Sequence, residues 1–213
     1  MTSPTTVASS EDAAAAPAIE ILPGSVRGPF DFAVLFGNGR PVEIEVGSGK
    51  GRFLIDQAAA RPEVNFLGIE WSLKYLRVTG DRAARRGLGN IRLYRADARH
   101  VIGDLVPDAS VTRLHVYCPD PWPKKRHHKR RFFSPAILVQ IARVLKPGGF
   151  LHVSTDVADY FEEILAALQA QDALRPGDDP LFGERTAAGK TSYELKYLAA
   201  GRSIRRTCWA RLG

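Results

Sequence analysis

Between Pro41 and Gln171, short β-branched runs alternate with longer amphipathic stretches, and this alternation restricts the fold more than any other feature of the chain. Residues 42–46, 65–70, 91–95, 111–117 and 150–155 read as strands. Helices are expected over 52–60, 73–86, 99–105, 135–145 and 158–171. Lys146-Pro147-Gly148-Gly149 should end the fourth, since proline cannot continue a helix and glycine takes the left-handed cap. Strand–helix–strand units joined by a few residues are right-handed and build a doubly wound, mostly parallel α/β sheet with both faces covered. Residues 192–198 and 203–212 read as two further strands closing an antiparallel hairpin around 199–202.

The 213 residues suffice for one domain or two small ones. A 45% hydrophobic and 25% charged composition excludes a mainly disordered chain. No uncharged apolar run approaches the roughly 18 residues of a membrane helix, which excludes a spanning segment. Cys118 and Cys208 cannot frame a disulfide scaffold and suit a reducing compartment, and no CxxC or Cys/His cluster proposes a metal. Residues 1–17 lack both a periodic apolar face and the cationic start of a signal peptide. They are expected to be a disordered tail, leaving 18–213 as a single domain.

Glu45-Val46-Gly47-Ser48-Gly49-Lys50-Gly51 falls where the first long strand meets a helix. Glycines permit a tight turn and close approach of a ligand, and a helix N-terminus offers N–H groups. A dinucleotide fold wants G-x-G-x-x-G, which would require glycine at position 52, where this chain has Arg52. The acid in the strand, Glu45, would repel a pyrophosphate and suits a ligand bearing an ammonium group, as S-adenosylmethionine does. The second strand ends in Gly68-Ile69-Glu70, where an acid can accept from both ribose hydroxyls. The third leads to Asp97, placed to accept from an adenine amino group. Three acids at successive strand ends converge on the ligand crevice of a doubly wound sheet.

The fourth strand runs into Cys118-Pro119-Asp120-Pro121-Trp122-Pro123, in which three prolines restrict the backbone and hold Asp120 and Trp122 at the same edge. Aspartate can hold a purine by its N–H edge, and an indole can stack on it. Lys124, Lys125, Arg126, Lys129, Arg130 and Arg131 follow at once with no acid among them. Thirty Lys and Arg against 23 Asp and Glu give +7, so six of the seven net charges lie within residues 123–131. Charge focused in this way points to a polyanion. His127 and His128 read as surface side chains or phosphate donors, and Trp71 and Trp209 as packing residues.

These strings, with Ser154-Thr155-Asp156 and Thr191-Ser192-Tyr193-Glu194, occur in an order that resembles the tRNA (guanine-N7)-methyltransferase family, the bacterial type acting on guanosine 46 of the variable loop. The likeness runs from about Pro41 to Leu212, and Pro-Asp-Pro-Trp-Pro-Lys-Lys-Arg-His is its most specific part. It implies a class I methyltransferase with a Rossmann-like, seven-stranded sheet, S-adenosylmethionine as cofactor, tRNA as partner, a monomer or homodimer, and a cytoplasmic location. By the same likeness Glu45, Gly47, Gly49, Glu70, Asp97 and Asp120 face the cofactor, and Asp120 is the active-site acid. Lys124, Asp156, Thr191, Tyr193 and Glu194 become substrate contacts, and Lys125, Arg126, Lys129, Arg130 and Arg131 RNA contacts. Ser192 departs from the pattern, since many relatives have Lys or Arg there. On the residues alone, an amino-group methyltransferase, a non-catalytic RNA-binding module and, more distantly, a nicotinamide oxidoreductase stay open.

Overall fold

In a computed structural model, which describes residues 19–21, 26, 28–183 and 189–213, one sheet is formed by β1 (Glu20–Ile21), β2 (Val42–Val46), β3 (Asn65–Ile69), β4 (Ile91–Tyr94), β5 (Val111–Tyr117), β6 (Leu145–Thr155), β7 (Leu174–Pro176) and β8 (Arg205–Arg211). Their order is β1-β4-β3-β2-β5-β6-β8-β7. All pairings are parallel except those of β8, which runs antiparallel to β6 and β7. Seven strands thus make the expected doubly wound sheet, and the two-residue β1 extends its β4 edge. The expected tail over 1–17 lies outside the described residues.

The helices are α1 (Phe32–Phe36), α2 (Arg52–Ala60), α3 (Leu73–Arg85), α4 (Ala98–His100), α5 (Pro135–Val144), α6 (Ala158–Gln169), α7 (Pro180–Gly183) and α8 (Ser192–Ala199). α4 continues into one wider π-helical turn, Val101–Leu105. Leu54, Ile55 and Ala58 of α2 with Leu76 and Ala83 of α3 cover Phe66, Ile91 and Leu93 on one face. α5 and α6 cover Ile44, Leu114, Val116, Leu151 and Val153 on the other. Period-2 alternation in the strands meets period-3.6 stripes on the helices, which is why both faces close. Among the described residues no helix is long and apolar enough to cross a membrane.

Two local expectations are corrected. Residues 192–198 form α8 rather than a strand: Thr191 Oγ1 accepts from the Glu194 amide at 3.1 Å, and Glu194 Oε2 accepts from the Thr191 amide at 2.8 Å. This reciprocal cap outweighs the alternation of apolar residues at 193, 195 and 197. The antiparallel partner of β8 at the sheet edge is therefore β7. In addition, α5 ends at Val144 and β6 begins at Leu145, so residues 146–149 bulge from the strand, whose register moves from Val111↔Leu145 to Arg113↔Phe150.

Alternate residues of β2, β5 and β6 carry a buried polar band. Glu43 accepts from Arg61 Nη1 at 2.6 Å, Arg113 Nη1 at 2.8 Å and His115 Nε2 at 3.0 Å. Asp179 accepts from Arg113 Nε at 2.5 Å and His152 Nε2 at 3.0 Å. Burial pushes His115 down to about 4. The neutral ring then carries its proton at Nε2, toward Glu43, and Nδ1 accepts from the Tyr117 hydroxyl 2.9 Å away. Burial opposes ionisation of Glu43, yet hydrogen bonds from His115 and Arg61 hold it well below the usual carboxylate range.

Candidate active site

The glycine loop takes its shape from three left-handed residues, Gly47 (φ +70°), Gly49 (φ +55°) and Gly51 (φ +71°). Gly51 is needed twice over, because a Cβ there would also lie 2.9 Å from Thr79 Cβ on α3. Thr79 in turn donates to the Gly49 carbonyl at 3.1 Å. Four of the loop amides are already committed within the protein. Gly47 and Ser48 donate to the Ile69 carbonyl at 2.8 and 3.2 Å, Gly51 to the Ser48 carbonyl at 2.8 Å, and Gly49 to Glu70 Oε2 at 2.8 Å. This loop is therefore no phosphate cradle, and its chemistry disfavours the oxidoreductase alternative.

Between β2 and β5 the winding of the sheet reverses, and there the loops diverge to leave a cleft of about 600 Å³ at the carboxyl edge. Gly47, Gly49, Glu70, Asp97, Asp120 and Asp156 all line it. Glu70 accepts from the Gly49 and Ser72 amides. Asp97 caps α4 by accepting from the Arg99 amide at 2.9 Å. Asp97 thus caps a helix and lines the cleft at once. Glu45 is buried and lines an adjoining chamber of about 350 Å³, which shares Gly49 and Tyr193 with the main cleft.

The Pro-rich turn after β5 holds two non-glycine residues in left-handed conformations, Cys118 (φ +48°) and Trp122 (φ +44°). Backbone this uncommon persists only where its surroundings over-determine it. Here the Cys118 amide donates to the Ser154 carbonyl at 2.7 Å, and Arg131 Nε to the Pro121 carbonyl at 2.7 Å. Arg99 fastens the far end, donating to the carbonyls of Arg130 and Arg131 at 2.5 and 2.9 Å. The Arg130 guanidinium lies 4.9 Å from the Trp122 ring centre, and the His127 ring stands edge-on to that indole at 5.9 Å.

Asp120, Lys124, Lys125, Arg126, Lys129 and Arg130 are exposed. Arg131 is not. Its side chain is only 3% exposed, paired with Glu163 and lying 4.6 Å over the Tyr160 ring, so its expected place among the RNA-facing cations is corrected to an anchor of the loop.

Thr191 and Glu194 are buried. Besides capping α8, Glu194 accepts from Ser154 Oγ at 3.0 Å and lies 3.6 Å from Arg206, so the pair positions α8. That helix presents Tyr193 and Tyr197 to the cleft, their rings 6.2 Å apart. Burial first, then Tyr75, Tyr197 and Glu70 nearby, pushes the Tyr193 phenol up and keeps it a donor. Asp156 accepts from Arg202 at 2.7 Å, and Arg202 lies 5.0 Å from the Tyr197 ring.

Trp71, Tyr75, Arg99, Tyr197 and Arg202 also line the cleft and were not among the expected site residues. Trp71 was read as packing but is 70% exposed, and its neighbour Glu70 was the signal that could have placed it there. Trp209 is buried, as read. Nothing local marks Arg202, whose position depends on the return of the chain after α8.

The family model whose description reads "Putative methyltransferase" matches residues 39–207. The chain is 40% identical over 177 residues to a tRNA (guanine-N(7)-)-methyltransferase of Alkalilimnicola ehrlichii, covering 83% of this chain and 75% of that protein. It is 40% identical over 194 residues to the protein of the same name from Nocardia farcinica, covering 86% and 72%. Among solved structures, the 16S rRNA methyltransferase KamB superposes with a TM-score of 0.65 at 20% identity, over 88% of this chain and 96% of that one, a likeness of fold.

Proposed function

Because the chain belongs to the tRNA (guanine-N7)-methyltransferase family, we propose that it transfers a methyl group from S-adenosylmethionine to N7 of guanosine 46 in the variable loop of tRNA, giving N7-methylguanosine and S-adenosylhomocysteine. One observation carries the reading: the rigid turn bearing Asp120 and Trp122 lines the same cleft as Glu70 and Asp97. The donor set fits the cofactor, since carboxylates accept from ammonium and hydroxyl groups while the committed loop amides leave little for phosphate.

Glu45, Gly47, Gly49, Glu70, Asp97 and Asp120 would hold the cofactor, which when bound supplies a methyl group on a sulfonium sulfur. A carboxylate offers about four acceptor positions, so Glu70 can receive a ribose diol beyond its two amide contacts. Guanine N7 has a lone pair and no proton. A methyl group supplied on a sulfonium sulfur would pass to that lone pair with the bonding electrons left on sulfur, so no general base would be required of this chain. Positioning can supply up to roughly 7–11 kcal/mol of the acceleration. Positive charge grows on the purine during transfer, and Asp120 stabilises it. Lys124, Asp156 and Tyr193 contact the substrate, Thr191 and Glu194 set the place of Tyr193, and Lys125, Arg126, Lys129 and Arg130 follow the phosphates.

The test is to incubate bulk tRNA with methyl-labelled cofactor and identify the modified nucleoside by mass. N7-methylguanosine supports the reading, and a methylated amino group or no product overturns it. Asp120→Ala should slow single-turnover methylation by about 10²-fold or more. Methylation by that variant at the unaltered rate removes Asp120 from the mechanism.

A further inference from the structure

Outside residues 123–131 the chain is nearly neutral, yet Lys50, Arg52, Arg82, Arg85 and Arg86 converge on one groove of about 760 Å³ between the N-terminus of α2 and the last turns of α3. A single carboxylate among its lining residues, Asp56, opposes them, 3.2 Å from Arg86 and 4.0 Å from Arg52. Arg82 is held by backbone, donating to the Lys50 carbonyl at 3.0 Å.

Helix chemistry favours an acid in the first turn, against the positive end of the dipole. α2 has no acid there; it starts with Arg52 and has no side-chain cap. Among the lining residues, the positive end of α2 is answered only by Asp56 one turn on, 4.0 Å from Arg52, which leaves it open to an anion. A positive helix end joined by planar guanidinium groups suits phosphate oxygens. The groove is also continuous with the active site. Lys50, Arg52 and Ser192 line both it and the smaller chamber, and that chamber shares Gly49 and Tyr193 with the cleft.

We infer that the α2–α3 groove is a second binding surface for the phosphodiester backbone of the RNA substrate, across the glycine loop from the basic turn that follows β5. This rests on the reading of the protein as an RNA methyltransferase. The RNA then spans the cofactor cleft with an electrostatic grip on each side, which fixes its register over the cleft without reading bases.

The test uses the full chain, a folded tRNA transcript, and binding measured over a salt series with unreactive S-adenosylhomocysteine present. Arg85→Gln/Arg86→Gln should weaken binding several-fold at 0.1 M salt and make the log–log salt slope shallower by about 1.8, roughly 0.9 for each lost phosphate contact. Asp56→Asn should change affinity in the opposite direction, tightening binding about two-fold, an outcome that damage to the fold does not produce. An unchanged slope in the double variant, or weaker binding by Asp56→Asn, overturns the second surface. Should the double variant fail to fold, Asp56→Asn and Arg85→Gln decide alone. Failure of the unaltered protein to form N7-methylguanosine is read in the methylation assay and sinks the functional reading, while the salt slopes still report on RNA contact.

Discussion

Gly51 joins three demands at one position: a left-handed backbone, the turn into α2, and the close approach of Thr79. Gly51→Ala adds backbone strain of about 1–2 kcal/mol to an overpacking cost of about 1–3 kcal/mol. For a domain of this size, about 3 kcal/mol should lower the melting temperature by roughly 6–12 °C in a thermal scan. Cofactor affinity should fall with it, because the same turn sets the Gly49 amide that fixes Glu70. Trp71 shows where reading by residue type stops. A tryptophan is usually a packing residue, and only the direction of the chain after β3 puts this one 70% exposed on a cleft.

Among the longer elements, α8 is the one whose structure departs from what the alternation of its residues predicts. The cap signal T-x-x-E was present in Thr191 and Glu194, but the alternation of Tyr193, Leu195 and Tyr197 suggested a strand. Thr191→Ala should cost about 1 kcal/mol in chemical denaturation and weaken binding of the RNA substrate through displacement of Tyr193. The basic turn was legible as a charge run, but the role of its last member was not, because burial of Arg131 depends on Glu163 and Tyr160 arriving from α6. Arg131→Ala should therefore destabilise the fold by about 1.5–3 kcal/mol, the worth of hydrogen bonds to charged groups. It should leave the salt dependence contributed by this turn unaltered. With Arg131 inside, five cations remain to meet phosphates, so the turn contributes a log–log slope no steeper than about −4.5 in RNA binding. A slope from this turn that falls by about one unit in Arg131→Ala would return Arg131 to the surface.

For the whole molecule, the doubly wound sheet could be read from the alternation of periods, and the place of the cleft follows from the reversal between β2 and β5. The buried band from Glu43 to Asp179 could not, because its members come from strands and loops up to about a hundred residues or more apart and look like ordinary polar positions in isolation. It governs the response to acid. His115 binds its proton only near pH 4 when folded, against 6.5 for an ordinary imidazole. Its contribution is therefore complete above pH 6.5 and is lost as pH falls toward 4, at about 1.4 kcal/mol per pH unit for one proton. Glu43 and Asp179, both held below their ordinary 4.5 and 3.8, extend the loss further into acid. Denaturation midpoints should thus decline from pH 6.5 downward, and His115→Gln should flatten the upper part of that decline. The inward-turned amides of the glycine loop have a consequence for life among the abundant metabolites of a cell. A pyrophosphate such as that of ATP or NAD meets carboxylates at this turn, and glycine-loop amides already bonded to Ile69, Ser48 and Glu70, so it should be refused at the threshold. Millimolar amounts of either should leave S-adenosylmethionine binding undisturbed, so selectivity here comes from hydrogen bonds the protein makes to itself.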